Sequence, residues 1–344
     1  MIELKKIYEE IQEKIDRLDF DLLWPGFHKK EFALYNDEIV VLNGKEFPKT
    51  EEFLANTAIM YEGRYIAIWY LKGAIDITIL TSKIVHEMFH AYQLEQNELR
   101  FADEIEGLMH YRYTPEYLQI RYRENVLLKE LGEQFQEEKM QEFLSSRKMR
   151  KSQFPYEYQY ETEVEAIEGA AEYVELQVLK VLDEKKYQKR YIHLMENMLK
   201  KEKLIPARAI SYDTGALFLL LCKENGLPIS NEIGNTTEIF YAKLIEQAEE
   251  KRFSGEIDYD IQKMCQEREQ ELERKVSHII STSPEVIRGK MELCGFNAYA
   301  PWFYQGYIYS EGFLSYKDRE QKNCYGNFLF KFENNYITEI YREV

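Results

Sequence analysis

Apolar residues recur at three- and four-residue steps through most of the chain, a spacing that predicts helices. Ile7, Ile11, Ile15 and Leu18 form one stripe among charges, so an amphipathic helix is expected over the first twenty or so residues. Between Phe53 and Leu71 the texture changes. Residues 57–61 and 65–70 are rich in β formers, and Glu62-Gly63 between them predicts the turn of a hairpin. Helical spacing returns over 76–96, with Thr81 or Ser82 as candidate caps, and continues as a succession of helices over 115–146, 158–182, 187–201, 212–225, 238–251 and 259–280. Gly226-Leu227-Pro228 and Ser281-Thr282-Ser283-Pro284 are the clearest breaks. After Met291 the chain turns to short aromatic and β-branched runs at 307–309, 313–316, 327–332 and 336–341, with Asn334-Asn335 as a hairpin turn. The expected architecture is α+β, mostly α. It divides into an N-terminal helical segment (1–52), a core with a β-hairpin edge (53–285) and a C-terminal antiparallel β segment packed on that core (286–344).

Composition narrows the possible partners. With 45% hydrophobic residues and 27 tyrosines, there is material for a packed interior and a ring-lined cleft. A formal net charge of −16 argues against nucleic acid and anionic membranes as partners. The longest apolar run, 216–222, is too short to span a bilayer, and the charged start at 1–6 lacks a signal-peptide pattern, so a cytoplasmic protein is expected. Cys222, Cys265, Cys294 and Cys324 show no CxxC pairing and are expected to be reduced, structural and buried.

Candidate chemistry lies in His86-Glu87-Met88-Phe89-His90, an HExxH inside the helix expected over 76–96. Two histidines four residues apart share one helix face and can point both imidazoles at one zinc ion, while the glutamate beside the first reaches the water at the open coordination position. The alternative is a pair of ordinary helical histidines. A third ligand is available in Glu168, on a later helix that also carries Glu161, Glu165, Glu172 and Glu175 on one stripe. Glu172, one turn after Glu168, is placed to accept a hydrogen bond from the outer nitrogen of a ligand histidine. The other three read as a solvated face. His28, His110, His193 and His278 have no ligand spacing to the motif.

This pattern, HExxH followed on a second helix by Glu168-Gly169-Ala170-Ala171-Glu172-Tyr173, resembles the gluzincin zinc peptidases. The 77 residues between His90 and Glu168 exceed the aminopeptidase spacing and imply an inserted helical segment. Tyr212-Asp213-Thr214-Gly215-Ala216 is similar to the YxxGA element in which several gluzincins place a tyrosine that steadies the oxyanion, which implies that role for Tyr212. The preceding hairpin corresponds in zincins to an edge strand that pairs with an extended substrate. The GxMEN-like stretch of aminopeptidases is replaced here by Ala58-Ile59-Met60-Tyr61-Glu62, which departs from aminopeptidase specificity. The resemblance implies a zincin-like fold and zinc-dependent hydrolysis of a peptide or small protein substrate. Glu87 would be the general base, and Tyr212 would share the oxyanion with the metal. The alternatives are a zinc hydrolase of a non-peptide amide or ester, and a catalytically silent zincin-fold binding protein. The run 295–303 is a candidate aromatic wall or lid of the cleft.

Overall fold

In the computed structural model, which describes residues 4–73, 75–249, 255–297 and 301–343, an amphipathic helix leads into a small sheet. Helix α1 (Leu4–Ile15) buries Leu4, Tyr8, Ile11 and Ile15 on one stripe. A single turn, α2 (Phe20–Leu23), is capped by Asp19. Strands β1 (Phe32–Tyr35), β2 (Ile39–Leu42), β3 (Lys45–Pro48), β4 (Thr57–Tyr61) and β5 (Arg64–Tyr70) come next and assemble in the order β3-β2-β1-β5-β4. β1 and β5 pair in parallel and the other neighbours antiparallel. The β4–β5 hairpin turns through Glu62 and Gly63, both at positive φ (48° and 79°), the conformation of a tight hairpin turn. Segment 1–52 is therefore not simply helical. It carries three of the five strands, and the expected boundary at residue 52 cuts the sheet. These strands are only four residues long, too short to show a period.

Helix α3 (Ile77–Glu95) carries the HExxH residues and packs on β5. Its N-cap is Asp76, whose carboxylate accepts from the backbone N–H groups of Thr78 and Ile79, not Thr81 or Ser82. Those two hydroxyls bond back to the carbonyls of Ile77 and Ile79. Beyond it come α4 (Glu104–His110), α5 (Pro115–Glu133), α6 (Glu137–Gln153) and α7 (Pro155–Val164), which runs through a π-helical turn (Glu165–Gly169) into α8 (Ala170–Leu182). The last helices are α9 (Glu184–Asn197), α10 (Ala207–Glu224), α11 (Ala242–Gln247) and α12 (Tyr259–Thr282). The helix expected over 115–146 is broken between Glu133 and Glu137. The one expected from 212 starts at Ala207, a turn earlier, and 238–251 holds only the short α11, with 250 and 251 outside the described residues. Trp24 is fully buried where these helices meet. Its ring contacts Phe89 of α3, Tyr173 of α8 and Phe240.

The remaining strands are β6 (Val286–Phe296), β7 (Trp302–Tyr304), β8 (Tyr307–Ser310), β9 (Phe313–Lys317), β10 (Gln321–Tyr325), β11 (Phe328–Glu333) and β12 (Tyr336–Arg342). They form a seven-stranded antiparallel sheet in the order β10-β9-β6-β12-β11-β8-β7. Asn334 and Asn335 make the two-residue β11–β12 turn, both at positive φ (51° and 66°). One cluster of this sheet packs against Ile105, Leu108 and Met109 of α4, another around Val276 and Ile279 of α12. All four cysteines are free. Cys222 is buried, but Cys294 is exposed because it lies on the open face of β6. Among the described residues no helix is long and apolar enough to cross a membrane.

Candidate metal centre

Two helices deliver the site. α3 is apolar around most of its circumference, with Leu80, Ile84, Val85, Met88 and Phe89 buried, so it runs inside the molecule and packs directly on α8. His86 and His90 project from it side by side, Nε2 to Nε2 3.1 Å. Glu168 Oε2 from the π-helical turn lies 3.1 Å from His90 Nε2 and 3.7 Å from His86 Nε2. Bonds of about 2.0–2.1 Å to a tetrahedral ion set ligand atoms roughly 3.3–3.4 Å apart. The three observed edges scatter around that value, and two imidazoles with one carboxylate are a donor set that suits a borderline divalent metal.

The π-helical turn explains how one helix serves two environments. In uninterrupted α geometry Glu161, Glu165, Glu168, Glu172 and Glu175 would share a stripe. Widening one turn shifts the rest of the helix by one residue, roughly 100° of rotation. Glu161 and Glu165 consequently face into the helical body, while Glu168, Glu172 and Glu175 face α3 and the cavity. The solvated face expected for Glu161, Glu165 and Glu175 is not found. They are 0%, 1% and 3% exposed. Their charges are met by basic groups from other elements. Arg121 and Arg150 bind Glu161, Arg147 and the Tyr241 hydroxyl bind Glu165, and Lys83 Nζ is 3.5 Å from Glu175.

The outer nitrogen of each histidine faces a side-chain oxygen, hydrogen-bonded in His90 and at ion-pair distance only in His86. His90 Nδ1 is 2.7 Å from Gln93 Oε1, and the Gln93 amide donates to the Ile167 carbonyl, tying the α3 face to the π-helical turn. His86 Nδ1 faces Glu175 Oε2 at 3.4 Å. Glu172, expected in that position, is close to His86 but has Oε1 held by Arg190 at 2.9 and 2.7 Å.

The other oxygen of Glu168 is also fixed. Arg208 Nη2 donates to Oε1 at 2.9 Å, Arg208 Nη1 donates to the Tyr212 hydroxyl at 2.7 Å, and Arg208 Nε lies 3.0 Å from Glu104. Arg208 and Tyr212 are one turn apart on α10, which approaches closely because Gly169 and Gly215 meet without side chains. A Cβ built on Gly169 would lie 2.7 Å from Gly215 Cα. Arg208 escaped sequence reasoning because the helix was expected to begin after it; its i, i+4 spacing to Tyr212 was the available signal.

The electrostatics favour a cation at this point. Burial alone would depress the His86 pKa, but Glu168 and Glu175 outweigh it and raise it well above the usual imidazole range. Glu168 is driven well below the carboxylate range against its burial, by His90, His86 and Arg208. Burial raises Glu87, with the two histidines opposing. Its carboxylate lines the cavity and makes no hydrogen bond or ion pair with the described residues. Burial and the Glu168 charge raise the Tyr212 phenol, which stays a neutral donor. The cavity, about 670 Å³, is bounded on the sheet side by Asn56, Thr57 and Trp69, at the start of β4 and the end of β5. Pro301, Trp302 and Phe303 from the expected aromatic wall line a second cavity instead, and residues 298–300 of that run lie outside the described residues.

No protein-family model, curated protein or solved structure matches this chain.

Proposed function

We propose that the chain is a zinc-dependent metallopeptidase of gluzincin type, with His86, His90 and Glu168 as metal ligands and Glu87 as general base. The observation that carries this reading is the convergence of the three ligand atoms within 4.8 Å of one another beside an unpaired Glu87 carboxylate in one cavity. When bound, zinc supplies a Lewis acid that acidifies a water and polarises a carbonyl. Glu87 then takes the proton from the attacking water and passes it to the leaving nitrogen, a role suited to a carboxylate whose affinity for protons is raised by burial. The neutral Tyr212 phenol donates to the carbonyl oxygen as negative charge develops there. Arg208 holds Glu168 Oε1, leaving Oε2 directed at the histidines.

A peptide substrate is favoured by the sheet. β4 is an outer strand of its sheet, and Thr57 at its start lines the cavity, so its free backbone edge is available to an extended chain. An edge strand, the HExxH helix and a second helix bearing a glutamate are also the elements of a zincin-like core.

The test is metal content together with one variant. Purified protein is expected to hold close to one zinc per chain and to cleave a peptide library, and Glu87→Gln to retain the metal while losing cleavage. Protein that binds no divalent metal, or a Glu87→Gln variant that cleaves normally, sinks the reading.

A further inference from the structure

A second cavity, about 680 Å³, adjoins the first and shares Arg208 with it. Its walls come from α4, the segment before α5, α12 and β7, so it opens where the helical body meets the C-terminal sheet. Two features distinguish it from a packing defect. Its lining is aromatic, with Tyr113, Tyr160, Trp302 and Phe303 presenting ring surface, and Trp302 is held in place by stacking on Tyr309 at 4.9 Å between ring centroids and 11° between planes. The second feature is Arg268, a half-buried guanidinium in the same lining that lies 4.5 Å above the Tyr113 ring centroid. Among the described residues no carboxylate comes within ion-pair distance of it. The lining holds three acids, two of which, Glu269 and Glu271, act on Arg268 only from beyond ion-pair distance. Glu104 is bound by Arg208 and the Tyr160 hydroxyl, Glu271 pairs with Lys275 at 2.7 Å, and Glu269 is exposed. A partly desolvated guanidinium with no carboxylate in direct contact gains from a ligand that supplies one, and its planar fork stacked on a ring is suited to a carboxylate.

From this arrangement we infer that the second cavity is a specificity subsite of the same cleft, seating an aromatic side chain of the peptide against Trp302 and a neighbouring carboxylate on Arg268. The inference rests on the peptidase reading for the identity of the ligand as a peptide. The carboxylate has two sources, an Asp or Glu side chain or the chain terminus. Arg208 stands at the junction, one face on Glu168 and the other on Glu104, so a chain crossing it passes from the reacting bond to this subsite.

The experiment uses the full chain carrying Glu87→Gln, which leaves bound peptide intact, and tracks peptide anisotropy. Four labelled peptides of equal length are compared: Phe-Glu with an amidated terminus, Phe-Gln with a free terminus, Phe-Gln amidated, and Ala-Glu amidated. Phe-Glu amidated or Phe-Gln with a free terminus is expected to bind roughly tenfold or more tighter than Phe-Gln amidated, as one charge-assisted pair provides, and which of the two does so identifies the source. The Ala-Glu peptide is expected to bind more weakly than Phe-Glu. Arg268→Gln should erase the carboxylate preference and Trp302→Ala the aromatic one, with thermal melting confirming that both variants fold and Arg268→Lys retaining part of the charge effect. Equal binding of all four peptides, no binding of any, or preferences untouched by Arg268→Gln overturns the inference. Hydrolysis by the parent with no Arg268 dependence overturns this subsite alone. Arg268-dependent binding without any hydrolysis leaves the subsite standing and removes the peptidase reading.

Discussion

Gly169 and Gly215 face each other across the crossing of two helices, so closely that a Cβ on Gly169 would lie 2.7 Å from Gly215 Cα and one on Gly215 2.9 Å from the Glu165 carbonyl oxygen. The obstructing atoms are backbone, which cannot rotate away. Replacing glycine by alanine inside a helix gains roughly 1 kcal/mol in propensity, whereas overpacking of this kind costs about 1–3 kcal/mol, so the clash should win. Gly215→Ala is expected to lower the denaturant midpoint. It should also weaken metal binding, because α10 carries Arg208 and Tyr212 away from Glu168. A variant as stable as the parent and with full zinc affinity would show that the contact is not limiting.

The partner of His86 gives a second prediction. Glu175 faces Nδ1 at 3.4 Å while Glu172 is held by Arg190. Carboxylates that orient a ligand histidine typically change metal affinity by about 10–100-fold when removed. Glu175→Gln should therefore weaken zinc binding within that range, and Glu172→Gln should do so far less. Competition with a chromophoric chelator measures both, and the reverse order would reassign the role.

The information legible in the sequence was local. HExxH fixes its own geometry, since i and i+4 share a helix face wherever the helix lies, and the Asn334-Asn335 turn arises from residues that tolerate positive φ. Glu161, Glu165 and Glu175 were misread as a solvated face because a charged stripe looks the same whether it meets water or buried basic groups, and the groups that bury it sit on other elements: Arg121 and Lys83 lie well upstream, Tyr241 well downstream. The π-helical turn leaves no periodic signal of its own. Strands β1 to β3 were lost in four-residue runs, and the second cavity depends on bringing α12 and β7 beside α4, a long-range arrangement that no motif encodes.

Behind the candidate metal site, Arg121, Arg147 and Arg150 meet Glu124, Glu161 and Glu165 in a neutral, fully enclosed cluster. Arg147 is pinned by Glu165 and by rings of Phe143, Phe218 and Tyr241 within 5.6 Å. Deleting one member strands its partner's charge, so Arg147→Met should destabilise by about 3–5 kcal/mol. Adding Glu165→Gln should return part of that loss, because the stranded carboxylate is gone. Urea unfolding of the two single variants and the double tests this coupling, and strictly additive losses would refute it.

The same cluster sets the response to acid. Burial favours the protonated form of Glu165, yet the charges of Arg147 and Arg121, with hydrogen bonds from Arg147 and Tyr241, bring its pKa down from 4.5 to about 2. Glu161 is lowered as well, by Arg121 and Arg150 against its burial. A folded-state pKa below the unfolded value means that the unfolded chain takes up the proton first, so the stabilisation is fully present above about pH 4.5 and is lost as pH falls towards 2. A shift of this size corresponds to roughly 3 kcal/mol for Glu165. Glu165→Gln should accordingly be less stable than the parent at pH 6, with the difference narrowing as acid protonates the parent's carboxylate. Urea midpoints measured in steps from pH 6 to pH 2.5 would reveal the convergence, and a gap that stays constant across that range would mean that Glu165 is not held ionised by its arginines.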